Sequence, residues 1–251
     1  MEKRSANIPG SSPGLTWPPL IRGTLVKRYK RFLADIRLVD GTIITAHCTN
    51  SGRMDTCSQP GRPVYISRAT NPKRKLKYTW ELIEMPGSLV GVNTLLPNRL
   101  VADAIATGQV AALTGYTNLK REVSVGERSR LDICLSGGRR RRCYVEVKNC
   151  TLVKNGRACF PDAVTTRGLK HLNELQNLVR AGHRGVIFFL IQRMDATVFS
   201  PADPIDPDYG KGLRQAVCDG VEILVFDVFI DLNRICLRRE IAVDLNRKPI
   251  G

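Results

Sequence analysis

No stretch of this sequence approaches the ~20 consecutive apolar residues needed to cross a bilayer. The longest apolar run, from Val186 to Ile191, has the length of a buried strand. The amino end lacks an apolar segment before a small-residue cleavage site, which argues against secretion and for a cytoplasmic protein. None of the eight cysteines forms a Cys-x-x-Cys pair, so tight zinc-ligand spacing is missing. A chain of 251 residues builds its own core without a disulfide framework. Reduced, mostly buried thiols in a reducing compartment are therefore expected. Cys143, Cys150 and Cys159 have no base at nucleophile spacing, and His47 beside Cys48 has no second ligand pair. There is no internal repeat. There is also no helix-turn-helix pattern with an extra basic recognition helix, which argues against an operator-reading regulator.

Acidic residues are in short supply. Lys and Arg number 39 against 23 Asp and Glu, a formal net charge of +16. The excess is spread along the chain, net +9 over residues 1–92 and net +7 over residues 93–251. Each cation set against a phosphate releases a condensed counterion, so charge of this size points to a polyanionic partner, DNA above all. The basic runs lack the amphipathic helical period that a membrane surface would want. The densest are Lys27, Arg28, Lys30 and Arg31 around Tyr29; Lys73, Arg74, Lys75 and Lys77 before Tyr78; and Arg139 to Arg142. Tyr29, Phe32 and Tyr78 beside these cations either stack on bases or belong to the core.

Residues 1–17 are rich in Ser, Pro and Gly and read as a disordered leader. Leu25-Val26, Phe32 to Leu38, Thr42 to Ala46, Val64 to Ile66 and Tyr78 to Ile83 then read as short strands, split by the Asp40-Gly41 and Pro60-Gly61 turns. Short basic strands at this spacing predict a small barrel of the oligonucleotide-binding (OB) kind. From about residue 93 the pattern becomes mixed. A helix starts at Pro97, with Leu100, Val101, Ala104 and Ile105 at helical spacing. Strands follow over 120–125, 131–135 and 143–147, with Gly137-Gly138 turning the last pair. Thr165 or Thr166 caps a helix that stops at Gly182, and the strand 186–191, a helix near 213–219 and a strand 222–229 complete an α/β sandwich. The expected architecture is thus an α+β two-domain chain: leader 1–19, all-β OB-like barrel 20–92, α/β domain 93–251.

One constellation carries specific chemistry. Asp132 opens one strand of the hairpin, and Glu146 and Lys148 lie on the other. The two-residue strand period sets Glu146 and Lys148 on one face and Val145 and Val147 on the other. Asp132, Glu146 and the Val147 carbonyl supply three hard oxygens, suited to Mg²⁺ with Mn²⁺ as a substitute. Lys148 is placed to orient a metal-bound water or to stabilise charge on a phosphate, and Glu122 is a fourth contributor. An ordinary cross-strand ion pair would use the same residue types. A following helix brings Arg167, Lys170, His171 and Glu174 onto one face.

These segments together resemble the sugar fermentation stimulation protein A family of bacteria and archaea. The likeness runs over about residues 20–245. It rests on the runs Lys30 to Asp35, His47 to Met54, Asn71 to Thr79, Gly91 to Thr94, Ser129 to Asp132, Tyr144 to Asn149 and Phe160 to Leu172. The sequence departs at Thr49 and Ser51, where the family usually shows Pro and Thr. The resemblance implies an amino-terminal OB barrel and a carboxy-terminal domain like the PD-(D/E)XK nucleases, with Asp132, Glu146 and Lys148 matching the nuclease motif. It also implies DNA binding and a link to sugar-use genes. The cations expected to face DNA are Lys27, Arg28, Lys30, Arg31, Arg53, Lys73, Arg74, Lys75, Lys77, Arg167 and Lys170. No feature calls for an obligate protein partner, and the oligomeric state stays open.

Overall fold

The structure is a computed structural model that describes residues 14–125 and 129–246. Most of the expected leader lies outside those residues. From Gly14 onward the expectation of disorder is corrected. Leu15–Thr16 form β1, antiparallel to a strand more than 200 residues later, and Leu15 is buried. Trp17 fastens the same stretch by donating its indole N–H to the Asp231 carbonyl, 2.8 Å.

The amino-terminal unit contains β2 (Leu20–Tyr29), β3 (Leu33–Leu38), β4 (Ile43–His47), β5 (Pro63–Arg68), β6 (Tyr78–Met85) and β7 (Ser88–Gly91). Their order is β4-β3-β2-β5-β6-β7, and a β4–β6 pairing closes the first five into a barrel. Alternation explains the fold. Leu25, Ala34, Ile36, Ala46, Val64, Ile66, Trp80 and Ile83 fill the barrel, with charged residues between them on the outside. Gly41, at φ 88°, makes the tight β3–β4 turn that an L side chain would strain.

The second unit contains α1 (Pro97–Ala106), β8 (Asn118–Val125), β9 (Ser129–Ser136), β10 (Cys143–Cys150), β11 (Leu152–Lys154), β12 (Arg157–Phe160) and α2 (Thr166–Arg180). β13 (Arg184–Ile191), β14 (Val198–Pro201), α3 (Pro207–Cys218), β15 (Glu222–Ile230), β16 (Arg234–Glu240) and β17 (Ala242–Val243) follow. The main sheet has seven strands in the order β1-β16-β15-β13-β10-β9-β8, with β10, β13 and β15 parallel at its centre. Every residue of β13 after Arg184 is buried, because helices cover both faces. α1 lays Leu100, Val101, Ala104 and Ile105 on one face, against Val145 and Val147. α2 and α3 cover the other with Leu172, Leu175, Tyr209 and Leu213. Tyr65 and Leu82 of the barrel join the α1-side core, so the two units share apolar packing. Thr165 caps α2, accepting from Gly168 N at 3.0 Å. α3 begins six residues earlier than expected, because Asp206 caps it and Pro207 opens its first turn.

The eight cysteines are free thiols, six of them buried. Burial pushes Cys57 and Cys143 up to about 12, far from any thiolate chemistry. Among the described residues, no helix is long and apolar enough to cross a membrane.

Candidate functional site

β9 and β10 pair from Leu135–Cys143 to Ile133–Val145 and then separate. Asp132 stands where they part. Its carboxylate fills the gap, accepting from the Val147 backbone N–H at 2.8 Å and from Asn98 Nδ2 at 2.6 Å. In a strand, the N–H and C=O of one residue point to the same neighbour. The Val147 carbonyl therefore faces the gap that Asp132 occupies. Asn98 reaches it from the first turn of α1, directly after Pro97.

Glu146 is 3% exposed on the opposite face of β10 from Val145 and Val147. Its Oε1 accepts from Lys148 Nζ at 2.7 Å and is in contact with His171 Nδ1 of α2. Its Oε2 is buried with no partner. Arg167 Nε points at His171 Nε2, 3.5 Å away. Lys148 Nζ also lies 3.2 Å from His171 Nδ1, so the lysine, the imidazole and Glu146 Oε1 form one cluster. Burial pushes the Glu146 carboxyl upward, but the His171 hydrogen bond and Lys148 outweigh it and hold the group below the usual carboxylate range. Asp132 goes the other way. Burial first, and then the negative charge of Glu146, raise it to about 6. The Tyr209 hydroxyl is also buried without a partner, and burial followed by the Glu146 charge raises its pKa well above the ordinary value.

This donor set fits a hard divalent cation. A buried carboxylate oxygen lacks a donor, a second carboxylate holds its proton unusually tightly because it is buried beside the Glu146 charge, and a carbonyl faces the same gap. Among the described residues, no three Asp, Glu, His or Cys side chains form a complete ligand group. A cation here would keep several waters, as Mg²⁺ does. Glu122 sits across β8–β9 from Asp132, close enough to raise its pKa, with φ 52° and an ion pair to Arg130 at 3.9 Å.

The expected DNA-facing cations divide. Lys30, Arg31, Lys73, Lys75, Arg167 and Lys170 are exposed. Lys27 and Arg53 are exposed too, beside Asp35 (3.7 Å) and Asp55 (3.1 Å). Arg74 bonds Thr79 Oγ1, and Lys77 bonds the Pro72 carbonyl, so these two also shape their own loop. The Arg28 guanidinium donates to the carbonyls of Arg31, Asn50, Gly52 and Arg53, where it organises two loops.

His171, Asn98 and Tyr209 were not among the expected site residues. Only His171 left a signal, the four-residue spacing from Arg167 on a capped helix. The barrel meets the site through Asp162, which accepts from Met54 N at 3.2 Å and lies four residues before α2. Thr49 makes a second tie. Its hydroxyl accepts from Thr94 N at 2.9 Å, a contact proline could not provide.

Comparison with known proteins follows the same division. The family described as SfsA N-terminal OB domain matches residues 26–92, and the family described as Sugar fermentation stimulation protein RE domain matches residues 95–234. A sugar fermentation stimulation protein homolog from Pelobacter propionicus is 55% identical over 228 residues, covering 91% of this chain and 99% of the relative. A homolog from Geobacter sulfurreducens is 55% identical over 225 residues, covering 90% of this chain and 96% of the relative. The structure of Pyrococcus furiosus SfsA in complex with Ca²⁺ superposes with a TM-score of 0.83 at 30% identity, over 92% of this chain and 98% of that one.

Proposed function

The chain belongs to the sugar fermentation stimulation protein family, and from that premise we propose that it binds DNA with little regard to sequence and hydrolyses phosphodiester bonds in a Mg²⁺-dependent reaction at Asp132, Glu146 and Lys148. The observation that carries the reading is the parting of β9 and β10, which brings Asp132 and the Val147 carbonyl into one gap while Glu146 keeps an unpartnered buried oxygen. The Pyrococcus relative was solved with Ca²⁺, a hard cation that prefers oxygen ligands, which agrees with this chemistry.

A divalent cation bound there supplies Lewis-acid polarisation of a phosphoryl oxygen and a bound water of lowered pKa. The chain's own residues do the rest. Asn98 fixes the rotamer of Asp132, and His171 fixes that of Glu146. Lys148 is held 2.7 Å from Glu146, where its ammonium can offset charge on a phosphate or donate a proton to a leaving oxygen. Arg167 and Lys170, exposed on α2 beside His171, attract the phosphate backbone, with the barrel cations extending the same field. A second reading, DNA binding without catalysis, is favoured by one observation: Lys148 already neutralises Glu146, and His171 closes on the same carboxylate oxygen.

One assay separates them. Labelled single-strand and plasmid DNA are incubated with Mg²⁺, with Mn²⁺ and with a chelator, over a range of salt. Binding is expected in all three conditions, weakening steeply with salt because phosphates dominate the contacts. Cleavage is expected only with the metals. Lys73→Ala with Lys75→Ala should reduce the salt slope by about two and weaken unrelated sequences alike. Salt-insensitive binding, or a loss confined to one sequence, contradicts the DNA reading; binding without cleavage under either metal leaves the second reading.

A further inference from the structure

We infer that the β2–β3 turn carries a nucleobase-stacking site at Phe32, so that the DNA bound by the barrel presents unpaired bases. The inference rests on the DNA-binding reading and adds a substrate class to it.

Tyr29 pairs with Leu33 across β2 and β3, so the hairpin closes through three residues, Lys30, Arg31 and Phe32. Lys30 and Arg31 take φ 48° and φ 62°. This left-handed region suits glycine or asparagine, and two consecutive long cationic residues in it are unusual. Such conformations persist where the surroundings hold them and where they serve a site. Here Arg28 holds the turn from below, donating to the Arg31 carbonyl at 3.0 Å while gripping the carbonyls of Asn50 and Gly52.

The conformation forces Phe32 outward. It is 50% exposed, while the other two aromatics of the basic runs are engaged: Tyr29 bonds Asp35 at 3.1 Å, and Tyr78 packs on the barrel core. Among the described residues Phe32 makes no ring contact and belongs to no apolar cluster. Lys30 and Arg31 next to it are exposed and have no acidic partner among the described residues. A rigid, solvent-facing π surface flanked by two unpaired cations matches one base and its two neighbouring phosphates. A base inside a duplex is already stacked on both sides, so its faces are closed to Phe32.

The turn is also tied to the proposed catalytic site. Arg28 links it to the loop around Gly52 and Met54, and that loop rests on Asp162, which leads into the helix carrying Arg167 and His171. A strand stacked at Phe32 thus approaches the site from a fixed direction.

The test uses the full chain in chelator and two ligands, a single strand of about 20 nucleotides and its blunt duplex. Wild-type protein should prefer the single strand. Phe32→Ala should weaken single-strand binding about tenfold, the loss of one stacked base, and duplex binding by less than about twofold, with the salt slope unchanged. Phe32→Trp, which keeps a π face, should retain the preference and controls for folding. A loss under about twofold on the single strand, or equal losses on both ligands, overturns the stacking site while leaving DNA binding intact. Wild-type protein that binds neither ligand at low salt overturns the function on which the inference rests.

Discussion

Asp132→Asn is expected to raise the melting temperature of the metal-free protein above about pH 6 and to abolish its response to Mg²⁺ or Mn²⁺. The sign follows from the direction of the Asp132 shift. Its folded-state pKa, about 6, lies above the ordinary 3.8. Ionised Asp132 therefore opposes folding above about pH 6, and the opposition is lifted as pH falls toward 4, where both states hold the proton. The cost at neutral pH is on the order of 2 kcal/mol once partial solvent access is allowed for. Asparagine removes the charge. One hydrogen bond is at stake, and Asn98 can turn its amide over to accept from the new one. The gain of the variant over wild type should be visible near pH 8 and shrink toward pH 4.5. Saturating Mn²⁺ should reverse the order, because a ligand that binds only the folded state stabilises by RT ln(1 + [L]/Kd) and the variant has lost a ligand oxygen. Cleavage should vanish with the metal response, and DNA binding in chelator should survive. A variant that melts below wild type at every pH, or still responds to metal, contradicts this account of the site.

Arg193→Ala should destabilise the fold by about 3 kcal/mol, which for a chain of this size is roughly 6–12 °C in melting temperature. Arg193 is 4% exposed at the seam between the two units. Its guanidinium forms a bidentate pair with Asp195, 2.6 Å on each arm, and reaches the Thr151 carbonyl at 3.1 Å and the Thr56 carbonyl of the barrel at 3.4 Å. Truncation leaves a partly buried carboxylate and two carbonyls without their donor. Arg193→Lys should recover little, since one ammonium cannot reproduce a planar fork serving three groups. Thermal and denaturant melts of both variants check this; a loss below about 1 kcal/mol would mean that the seam is held by its apolar contacts alone.

How far the sequence could be read depended on whether each signal was local. Thr165, the spacing after Pro97 and the alternation around Asp40-Gly41 are local, and the elements they mark are present. The barrel was legible for the same reason, and so was the hairpin of Asp132 and Glu146. β1 was not. Its Ser-, Pro- and Gly-rich surroundings resemble a tail, and its partner lies at the far end of the chain. β16 was obscured by its own charge. Arg238 and Arg239 look like solvent-facing residues until the fully buried Asp227 is placed between them. The loop contacts of Arg28 were hidden likewise, because three of the four carbonyls that bind it come from residues 50–53. The site chemistry was half legible. Two carboxylates and a lysine at strand spacing suggest a cation site, but the choice of His171 as the partner of Glu146 depends on how α2 crosses the sheet.

The claim on which the proposed function stands is that a divalent cation binds where β9 and β10 part. Anomalous diffraction from crystals grown with Mn²⁺ tests it most directly. The expected result is one strong peak within about 2.0–2.4 Å of a carboxylate oxygen of Asp132, a carboxylate oxygen of Glu146 and the Val147 carbonyl, absent from crystals of Asp132→Asn. No peak there at saturating Mn²⁺, with Lys148 and His171 still closed on Glu146, would contradict the account and make these carboxylates a structural ion network.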